Sequence, residues 1–299
     1  MTEPHRSGLA TLIGRPNVGK STLVNRLVGA KISITSRRPQ TTRHRILGIK
    51  NGPNSQIVYV DTPGLHTARA SGMDRYMGRI TSGSVEGVDV VVLVIAATGW
   101  RPEDEPALKL ATASQVPVVL VINKIDLLDN RAALLPLIEQ CTAKGDFADI
   151  VPVSARTRSN LGELEATIGR HLPEQPPIYP TDQLTDRSER FIAGELVREQ
   201  VFNAYGQEVP YASTVQVEQF RRSKGKLRVD AVVWVEKEGQ KAILIGKNGA
   251  RLKEVGTRAR RALEAFFGGH VYLGLWVKVR EGWSDDEAAL RRFGYEDSR

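Results

Sequence analysis

Short runs of apolar residues alternate with segments of helical spacing through the first half of the chain. The runs are Leu9–Ile13, Ile57–Val60, Val90–Ala96, Val116–Ile122 and Ile150–Val153. After the first run, Ser21–Val28 places its apolar residues on one side of a helix, and Gly29 follows as a common helix stop. This alternation is typical of strands in a largely parallel sheet with helices between them. We therefore predict an α/β first domain.

The pattern breaks at Pro173–Pro180, where four of the eight residues are proline. Proline fixes its backbone and has no N–H to donate, so this stretch cannot continue a helix or a central strand. We predict a stiff linker over 173–187. It would divide a first domain, 1–172, from a second domain, 188–299.

Beyond the linker, segments with helical spacing and segments with strand alternation follow one another in a different order. Helical spacing is found in Phe191–Ala204, Gln240–Ile245 and Ala250–Phe267, and strand alternation in Thr214–Phe220, Leu227–Val235 and Val271–Val279. The order α-β-β-α-α-β predicts a smaller α+β domain. Ser284-Asp285-Asp286-Glu287 matches a capping box, which predicts a short tail helix capped by Ser284.

Composition narrows the class of protein. A chain of 299 residues with 41% hydrophobic and 25% charged residues can form two globular domains. The single cysteine, Cys141, excludes an intrachain disulfide framework and fits a reducing compartment. The first residues are polar, and the longest apolar run, Val90–Ala97, is too short to cross a bilayer. We expect a cytoplasmic protein.

The positive charge of the chain is concentrated in one stretch. Arg221–Arg261 contains thirteen Lys and Arg against four Asp and Glu, a net +9, whereas the whole chain carries +8. The rest of the chain is therefore close to neutral. A local basic excess of this kind indicates nucleic-acid binding.

A glycine-rich loop joins the first predicted strand to the first predicted helix. It reads Gly14-Arg15-Pro16-Asn17-Val18-Gly19-Lys20-Ser21-Thr22. Its glycines allow successive backbone N–H groups to face phosphates, while Lys20 can contact the β- and γ-phosphates and Ser21 can ligate Mg²⁺. An incidental glycine turn is the alternative, and the strand–loop–helix setting favours a nucleotide site.

Two further segments supply candidates for the magnesium side of that site. Asp61-Thr62-Pro63-Gly64 follows an apolar run, so Asp61 is the expected magnesium-side carboxylate and Gly64 can offer its N–H to the γ-phosphate. Thr42 lies in the polar segment Ser36–His44 and is the candidate magnesium-sensing hydroxyl. Its few apolar anchors predict a loop ordered only by γ-phosphate and Mg²⁺. A simple turn and an exposed loop are the respective alternatives.

Asn123-Lys124-Ile125-Asp126 is the candidate segment for selecting the base, and a polar turn after a strand is the alternative. The Asp126 carboxylate can accept from the ring N–H and the amino group of guanine, and adenine has neither donor on that edge. Asn123 would brace the loops and Lys124 would lie along the base. Backbone N–H groups at Ser154 and Ala155 would meet the guanine oxygen. We predict GTP and GDP as ligands.

Gly246-Lys247-Asn248-Gly249 lies between two predicted helices of the second domain. Glycines without Cβ atoms let a sugar-phosphate backbone lie against a helix N-terminus. The loop resembles the one with which KH domains hold about four nucleotides beside an apolar groove. A structural helix–turn–helix is the alternative. The candidate RNA-binding residues are Gly246, Lys247, Asn248, Gly249, Arg251, Lys253, Ile243 and Ile245.

The motif set resembles the translation-factor-like branch of P-loop GTPases, and Gly8–Arg299 is similar to the Era family of bacterial ribosome-associated GTPases. Shared stretches include Gly14–Ser21, Ser36–Ile49, Asp61–Leu65, the linker and Ile243–Leu252. The resemblance implies an α/β P-loop GTPase domain, with helices on both faces of a mostly parallel sheet. A smaller type II KH domain would follow it.

The resemblance also implies a mechanism. Catalysis would involve Lys20, Thr42, Asp61, Gly64 and Asn17. Leu65 stands where Ras-type enzymes have a water-orienting glutamine, and Asn17 can help to hold K⁺ near the phosphates. Slow intrinsic GTP hydrolysis is therefore expected.

The partners that the resemblance implies are the 3′ end of 16S rRNA and the small ribosomal subunit. It also implies that the protein can associate peripherally with the inner membrane, and we expect a monomer. We interpret the chain as a GTP-switched assembly factor for that subunit. A constitutive RNA-binding chaperone with a structural nucleotide site and a membrane-surface signalling GTPase remain alternatives. His44 and His66 flank the nucleotide-sensing segments and are expected at the surface, with water-positioning groups as the alternative.

Overall fold

The computed structural model describes residues 4–65, 71–206, 208–223 and 225–295 of the protein. These residues form two compact units. The first contains residues 4–33, 42–65 and 77–186. The second contains the described residues from 187 onward together with two earlier segments, 34–41 and 71–76. No helix within the described ranges is long and apolar enough to span a membrane.

Among the described residues, eleven α-helices and β-strands precede the linker. In chain order they are β1 (Arg6–Ile13), α1 (Lys20–Val28), β2 (Ile46–Asn51), β3 (Ser55–Asp61), α2 (Gly72–Gly83), β4 (Val90–Ala96), α3 (Glu105–Ala113), β5 (Val118–Asn123), α4 (Leu134–Thr142), β6 (Asp149–Pro152) and α5 (Leu161–Arg170). Each of the five predicted apolar runs overlaps a strand, although the runs at Val116–Ile122 and Ile150–Val153 extend beyond their strands by one or two residues.

The strands of the first unit form one sheet in the order β2-β3-β1-β4-β5-β6. All neighbouring pairs are parallel except β2 and β3, which are antiparallel. The sequence pattern did not predict β2, since Gly48 interrupts its short apolar run. A Cβ atom on Gly48 would lie 2.5 Å from Cδ1 of Ile32, so the glycine allows close packing there. The α/β fold class is confirmed.

Both faces of the central strands are buried. Val91, Leu93 and Ile95 of β4 pack in one core with residues of α3 and α4. The alternate side chains of β4 point to the opposite face and are buried as well. Helices therefore cover both faces, and the carboxyl ends of the strands carry the loops with the predicted motifs.

The proline-rich segment after α5 is irregular, as its composition predicts, and it is fixed along the first unit. The N–H of Ile49 donates to the carbonyl of Leu184 at 2.9 Å. The N–H of Leu47 donates to Asp186 Oδ1 at 3.0 Å. These bonds satisfy backbone groups on β2, which is the edge strand.

Within the described part of the second unit lie the other seven α-helices and β-strands. They are α6 (Glu189–Ala204), β7 (Ser213–Ser223), β8 (Lys226–Val235), α7 (Glu238–Ile245), α8 (Ala250–Phe267), β9 (Val271–Val279) and α9 (Glu287–Arg292). The strands form a sheet in the order β7-β8-β9, with β7 antiparallel and β9 parallel to β8. Apolar residues of α6 and α8 pack against this sheet. The predicted α-β-β-α-α-β order is confirmed.

The predicted cap of the tail helix was wrong. Asp286 caps α9, and its side chain accepts from the N–H of Ala288 at 2.9 Å. The preceding residues serve α2, because the Ser284 carbonyl accepts from Met73 N and Asp285 Oδ1 accepts from Gly72 N. The capping-box pattern therefore identified residues that bind helix N-termini but assigned them to one helix instead of two.

Candidate functional site

The glycine-rich loop occupies the space between β1 and α1 and is closely packed. Gly14 and Gly19 have φ values of 151° and 104°, which side chains rarely adopt. A Cβ atom on Gly14 would lie 2.3 Å from the Val94 carbonyl oxygen, and one on Gly19 would lie 2.4 Å from Asn123 Nδ2. Both positions therefore require glycine for space as well as for conformation.

Lys20 begins α1 and its ammonium lies inside the loop. Nζ donates to the Gly14 carbonyl at 2.9 Å and to the Arg15 carbonyl at 3.2 Å. Burial lowers the pKa of Lys20 to about 8, although the nearby Asp61 carboxylate acts in the opposite direction. The ammonium thus occupies the centre of the candidate phosphate site.

Three oxygen-bearing side chains meet beside Lys20. The hydroxyls of Ser21 and Thr42 are 2.7 Å apart. Asp61 is fully buried, and neither of its carboxylate oxygens has a hydrogen bond of regular geometry to the described residues, although the Ser21 and Ser33 hydroxyls lie near them. Burial raises the pKa of this carboxyl, although nearby Ser21, Ser33 and Lys20 act in the opposite direction. Unpartnered buried oxygens beside two hydroxyls are a donor set that suits a hard cation such as Mg²⁺.

The segment that carries Thr42 is irregular, as predicted, but its last residues are buried. Thr41, Thr42, Arg43 and His44 are all less than 9% exposed. The expectation that only γ-phosphate and Mg²⁺ order this segment was therefore wrong, because protein contacts hold it as well. The expectation of a surface position was also wrong for His44, and His66 lies outside the described residues.

The segment after β3 lies against the glycine-rich loop. A Cβ atom on Gly64 would lie 3.0 Å from three atoms of Pro16, and the Leu65 N–H donates to the Gly14 carbonyl at 3.4 Å. The Thr62 hydroxyl donates to the Leu12 carbonyl at 2.8 Å. The Pro63 carbonyl accepts from the Thr81 hydroxyl at 3.1 Å. Gly64 is thereby held within the site.

Asn123 connects three loops. Its Nδ2 donates to the Val18 carbonyl at 2.8 Å, and its Oδ1 accepts from the Ala155 N–H at 3.0 Å. The neighbouring Lys124 donates from Nζ to the Asn17 carbonyl. These bonds bring the end of β5, the glycine-rich loop and the 154–155 loop together.

Asp126 contacts the 154–155 loop that Asn123 also joins. Its Oδ1 accepts from the Ser154 hydroxyl at 2.6 Å, and its Oδ2 lies 3.7 Å from Nη1 of the exposed Arg156. The other predicted loop residues differ in exposure. Arg15, Pro16 and Thr22 are half-buried, Asn17 is exposed and Val18 is buried.

One residue of the site's surroundings was missed by the sequence reasoning. Asp104 is fully buried in a short 3₁₀ turn before α3, and its Oδ1 lies 3.0 Å from Nε of Arg15. The pair ties Arg15 of the glycine-rich loop to the start of α3. Nothing in the local pattern around Asp104 could reveal a partner so far away in sequence.

The glycine loop of the second unit joins α7 to α8. Gly246, Asn248 and Gly249 have φ values of 69°, 52° and 75°. A Cβ atom on Gly246 would lie 2.8 Å from the Arg251 side chain, whereas one on Gly249 would have nothing within 4 Å. Open space beside Gly249 would let a polymer backbone approach the loop.

The candidate RNA-binding side chains surround this loop. Lys247, Asn248, Arg251 and Lys253 are exposed, and Ile245 is half-buried. Ile243 is 45% exposed, which is unusual for a large apolar side chain. The structure thus places charged groups and an accessible apolar side chain around one loop.

Family models match both parts of the chain. Residues 10–124 match a model described as 50S ribosome-binding GTPase, and residues 208–284 match a model described as KH domain.

Curated relatives cover nearly the whole chain. GTPase Era of Stenotrophomonas maltophilia is 56% identical over 293 residues, 98% of each chain. GTPase Era of Xanthomonas oryzae pv. oryzae is 55% identical over 295 residues, 99% of each chain.

Two solved structures are also similar along the chain. One is Era in complex with MgGDPNP and nucleotides 1506–1542 of 16S ribosomal RNA. The other is a variant of Aquifex aeolicus Era bound to GDP·AlF4⁻. Each has a TM-score of 0.94 and 41% identity, and the match covers 98% of this chain and 100% of theirs.

Proposed function

The chain belongs to the Era family of GTPases, and from this premise we propose that it binds 16S rRNA under the control of GTP and Mg²⁺. The task of this switch would be assembly of the small ribosomal subunit. One observation carries the proposal: a near-complete likeness to a relative that holds MgGDPNP and 16S rRNA together, in a chain with both glycine loops.

The phosphates would be held by Gly14–Thr22, with the Lys20 ammonium against the β- and γ-phosphates. Ser21, Thr42 and Asp61 would hold Mg²⁺, and the unpartnered carboxylate oxygens of Asp61 support this role. Bound magnesium would supply positive charge beside the phosphates. The helix that begins at Lys20 adds its positive N-terminal end to the same place.

Hydrolysis would depend on positioning and charge. Gly64 lies against the glycine-rich loop, so its N–H can serve the γ-phosphate. Leu65 has no group that could orient water, which predicts a slow intrinsic rate. Asn17, exposed on the loop with φ 63°, is the proposed contact for K⁺. Equal rates in sodium and potassium buffers would remove Asn17 from the mechanism.

Guanine would be selected by the loops that Asn123 joins. Asp126 would accept two hydrogen bonds from the base, Lys124 would lie along it, and Ser154 and Ala155 would offer N–H groups. The Ser154 hydroxyl already fixes one oxygen of Asp126. Adenine offers no partner for this carboxylate, so we expect GTP to be preferred over ATP by about 10⁴-fold.

RNA would bind at the loop Gly246–Gly249, with Lys247, Arg251 and Lys253 facing phosphates and Ile243 and Ile245 facing bases. The first family model is described by the large, 50S, subunit, whereas 16S rRNA belongs to the small one. We favour the small subunit because the relative with 16S rRNA matches this chain over both units.

The two alternatives make different predictions. A chaperone with a structural nucleotide site would not turn over GTP, whereas this proposal requires multiple turnovers that Lys20→Ala abolishes. Location in the cytoplasm follows from the proposed partner. Peripheral membrane association and a monomeric state stay predictions, and flotation with anionic liposomes, with and without competing RNA, tests the former.

A charge-matched pair of variants tests the RNA site. We expect Lys247→Glu to weaken binding to a 16S 3′-end fragment by about tenfold or more, because an exposed phosphate-facing charge is reversed. Lys109→Glu makes the same change of net charge at an exposed position of α3 and should bind almost normally. Equal losses in both variants would mean that the loop is not the RNA site. GTP hydrolysis should be normal in both.

A further inference from the structure

A buried arginine of α6 holds the peptide group that carries Thr42. Arg198 is 1% exposed, and its Nη2 donates to the Thr41 carbonyl at 2.6 Å. That carbonyl and the amide nitrogen of Thr42 belong to one planar peptide unit. A shift of the carbonyl therefore moves Thr42, whose hydroxyl lies 2.7 Å from that of Ser21.

The boundary between the two compact units falls between Thr41 and Thr42. Residues 34–41 belong to the second unit, and Thr42 belongs to the first. Arg198 and Thr41 therefore lie in the same unit, and the peptide bond after Thr41 leads directly to Thr42.

The guanidinium of Arg198 is itself fixed. Nε and Nη2 bind the two carboxylate oxygens of Glu195 at 2.7 and 2.6 Å. The guanidinium carbon lies 5.1 Å from the centroid of the Phe202 ring. A two-point ion pair in a buried setting holds the donor in one orientation, so the Thr41 carbonyl is held by a rigid group.

The start of the same segment is held by the next residue of α6. Glu199 Oε1 accepts from the Thr35 N–H at 2.9 Å. Within the segment, the Thr41 hydroxyl donates to the Arg38 carbonyl at 2.8 Å. Adjacent residues of one helix therefore hold both ends of the 34–41 segment, and Arg198 holds the end next to Thr42.

We propose that Arg198 is a positioning residue for GTP hydrolysis, which places the Thr42 hydroxyl at the magnesium side of the nucleotide. The inference rests on the proposed function of Thr42. Arg198 acts through the Thr41–Thr42 peptide and touches no reacting atom. Thr42 acts only when the bound nucleotide has a γ-phosphate. Arg198 therefore affects the rate of GTP hydrolysis and leaves the affinity for GDP unaltered.

Arg198→Lys is the primary test. Lysine keeps the charge, but its single ammonium cannot hold both Glu195 oxygens and the Thr41 carbonyl in the same fork geometry. We expect kcat for GTP to fall by about tenfold to 100-fold. The Mg²⁺ concentration for half-maximal hydrolysis should rise by about tenfold, while GDP affinity stays within about twofold of wild type.

Arg190→Lys is the matched control. Arg190 lies on the same helix and donates to the carbonyls of Val217 at 3.2 Å and Glu218 at 3.1 Å, away from Thr41. If arginine-to-carbonyl bonds only stabilise the unit, both variants lose Tm and neither changes kcat or the Mg²⁺ dependence. We expect Arg190→Lys to keep the wild-type kcat and the wild-type Mg²⁺ dependence.

A second variant keeps the test decisive if Arg198→Lys does not fold. Glu195→Gln retains Arg198 but weakens the grip on its guanidinium, so it should move kcat and the Mg²⁺ dependence in the same direction by a smaller factor. The proposal would be overturned if every variant that folds had the wild-type kcat and the wild-type Mg²⁺ dependence.

Parallel assays separate this inference from the proposed function. If the wild-type protein shows no Mg²⁺-dependent GTP hydrolysis that Lys20→Ala abolishes, the proposed function fails and Arg198 loses its role with it. If the wild type hydrolyses GTP and Arg198→Lys matches it, only the positioning role is wrong.

Discussion

Two glycine loops precede helices in this chain, and they differ in the space around them. At Gly14 and Gly19 an added Cβ would lie 2.3 and 2.4 Å from the Val94 carbonyl oxygen and from Asn123 Nδ2. At Gly249 it would meet nothing within 4 Å, and at Gly246 only the side chain of Arg251. All four glycines have positive φ.

The difference reflects what each loop would bind. The first loop is enclosed by Lys20, Asn123 and the segment at Gly64, which suits a small ligand surrounded on many sides. The second loop is open, which suits a polymer whose backbone passes across it. Conformation alone requires glycine at Gly249, whereas space and conformation together require it at Gly14 and Gly19.

The largest expected difference between the two loops comes from adding one methyl group to a glycine of each. Gly14→Ala should lower the free energy of unfolding by about 3 kcal/mol and abolish GTP binding, because backbone must shift to admit the Cβ. Gly249→Ala should cost about 1–2 kcal/mol from its left-handed conformation and leave GTP binding intact. Chemical denaturation and GTP titration of both variants provide the measurement, and equal losses would contradict the comparison.

The magnesium side offers a test with opposite effects on activity and stability. Asp61→Asn should lower GTP hydrolysis by about 100-fold. In Mg²⁺-free buffer it should raise the free energy of unfolding at pH 7 by about 1–3 kcal/mol, because an unpartnered buried carboxylate becomes a neutral amide. Asp89→Asn, which alters a carboxylate that accepts from the Leu9 N–H at 2.8 Å, should hydrolyse GTP normally.

The direction of the Asp61 pKa shift sets a pH dependence. Since the folded pKa is raised above its unfolded value, the unfolded state ionises more readily. Ionised Asp61 therefore destabilises the folded state fully at pH values above its folded pKa. This destabilisation disappears as the pH falls toward the pKa of Asp61 in the unfolded state. The stability gain of Asp61→Asn should therefore shrink on acidification. A gain that is constant with pH would show that the buried charge is not its cause.

A gradual effect concerns Lys20, whose pKa is lowered to about 8. Above pH 8 the free protein loses the ammonium that faces the phosphates, so GTP binding must take up a proton. Affinity should fall by up to about tenfold per pH unit between pH 8 and 10. Calorimetry in buffers of different ionisation enthalpy measures the proton uptake. Lys20→Met should show neither slope nor uptake.

The sequence predicted most strands because those of a parallel sheet, buried on both faces, read as continuous apolar runs. The edge strand β2 was missed because it is short and contains Gly48. Helix α5 could have been predicted from the spacing of its buried residues, Leu164, Thr167 and Ile168. The motifs predicted which loops meet, since they follow strands of one sheet.

Contacts between distant parts of the chain could not be predicted from local patterns. Ser36–His44 is polar and resembles an exposed loop, yet its end is buried where Arg198 reaches Thr41, 157 residues away. Arg15 and Asp104 form a similar pair. A polar residue indicates burial only when its partner is known, and a single sequence does not identify partners.

The most direct test of the account is calorimetric titration of GTP, XTP and ATP into the wild-type protein and Asp126→Asn. Asparagine places an amide donor where the carboxylate accepts, which suits the extra carbonyl of xanthine in place of the guanine amino group. We predict that, of the three nucleotides, the wild type binds only GTP and that the variant binds XTP in place of GTP. Comparable binding of ATP and GTP by the wild type, or unchanged GTP affinity in the variant, would contradict the assignment of the enclosed loop to a guanine nucleotide.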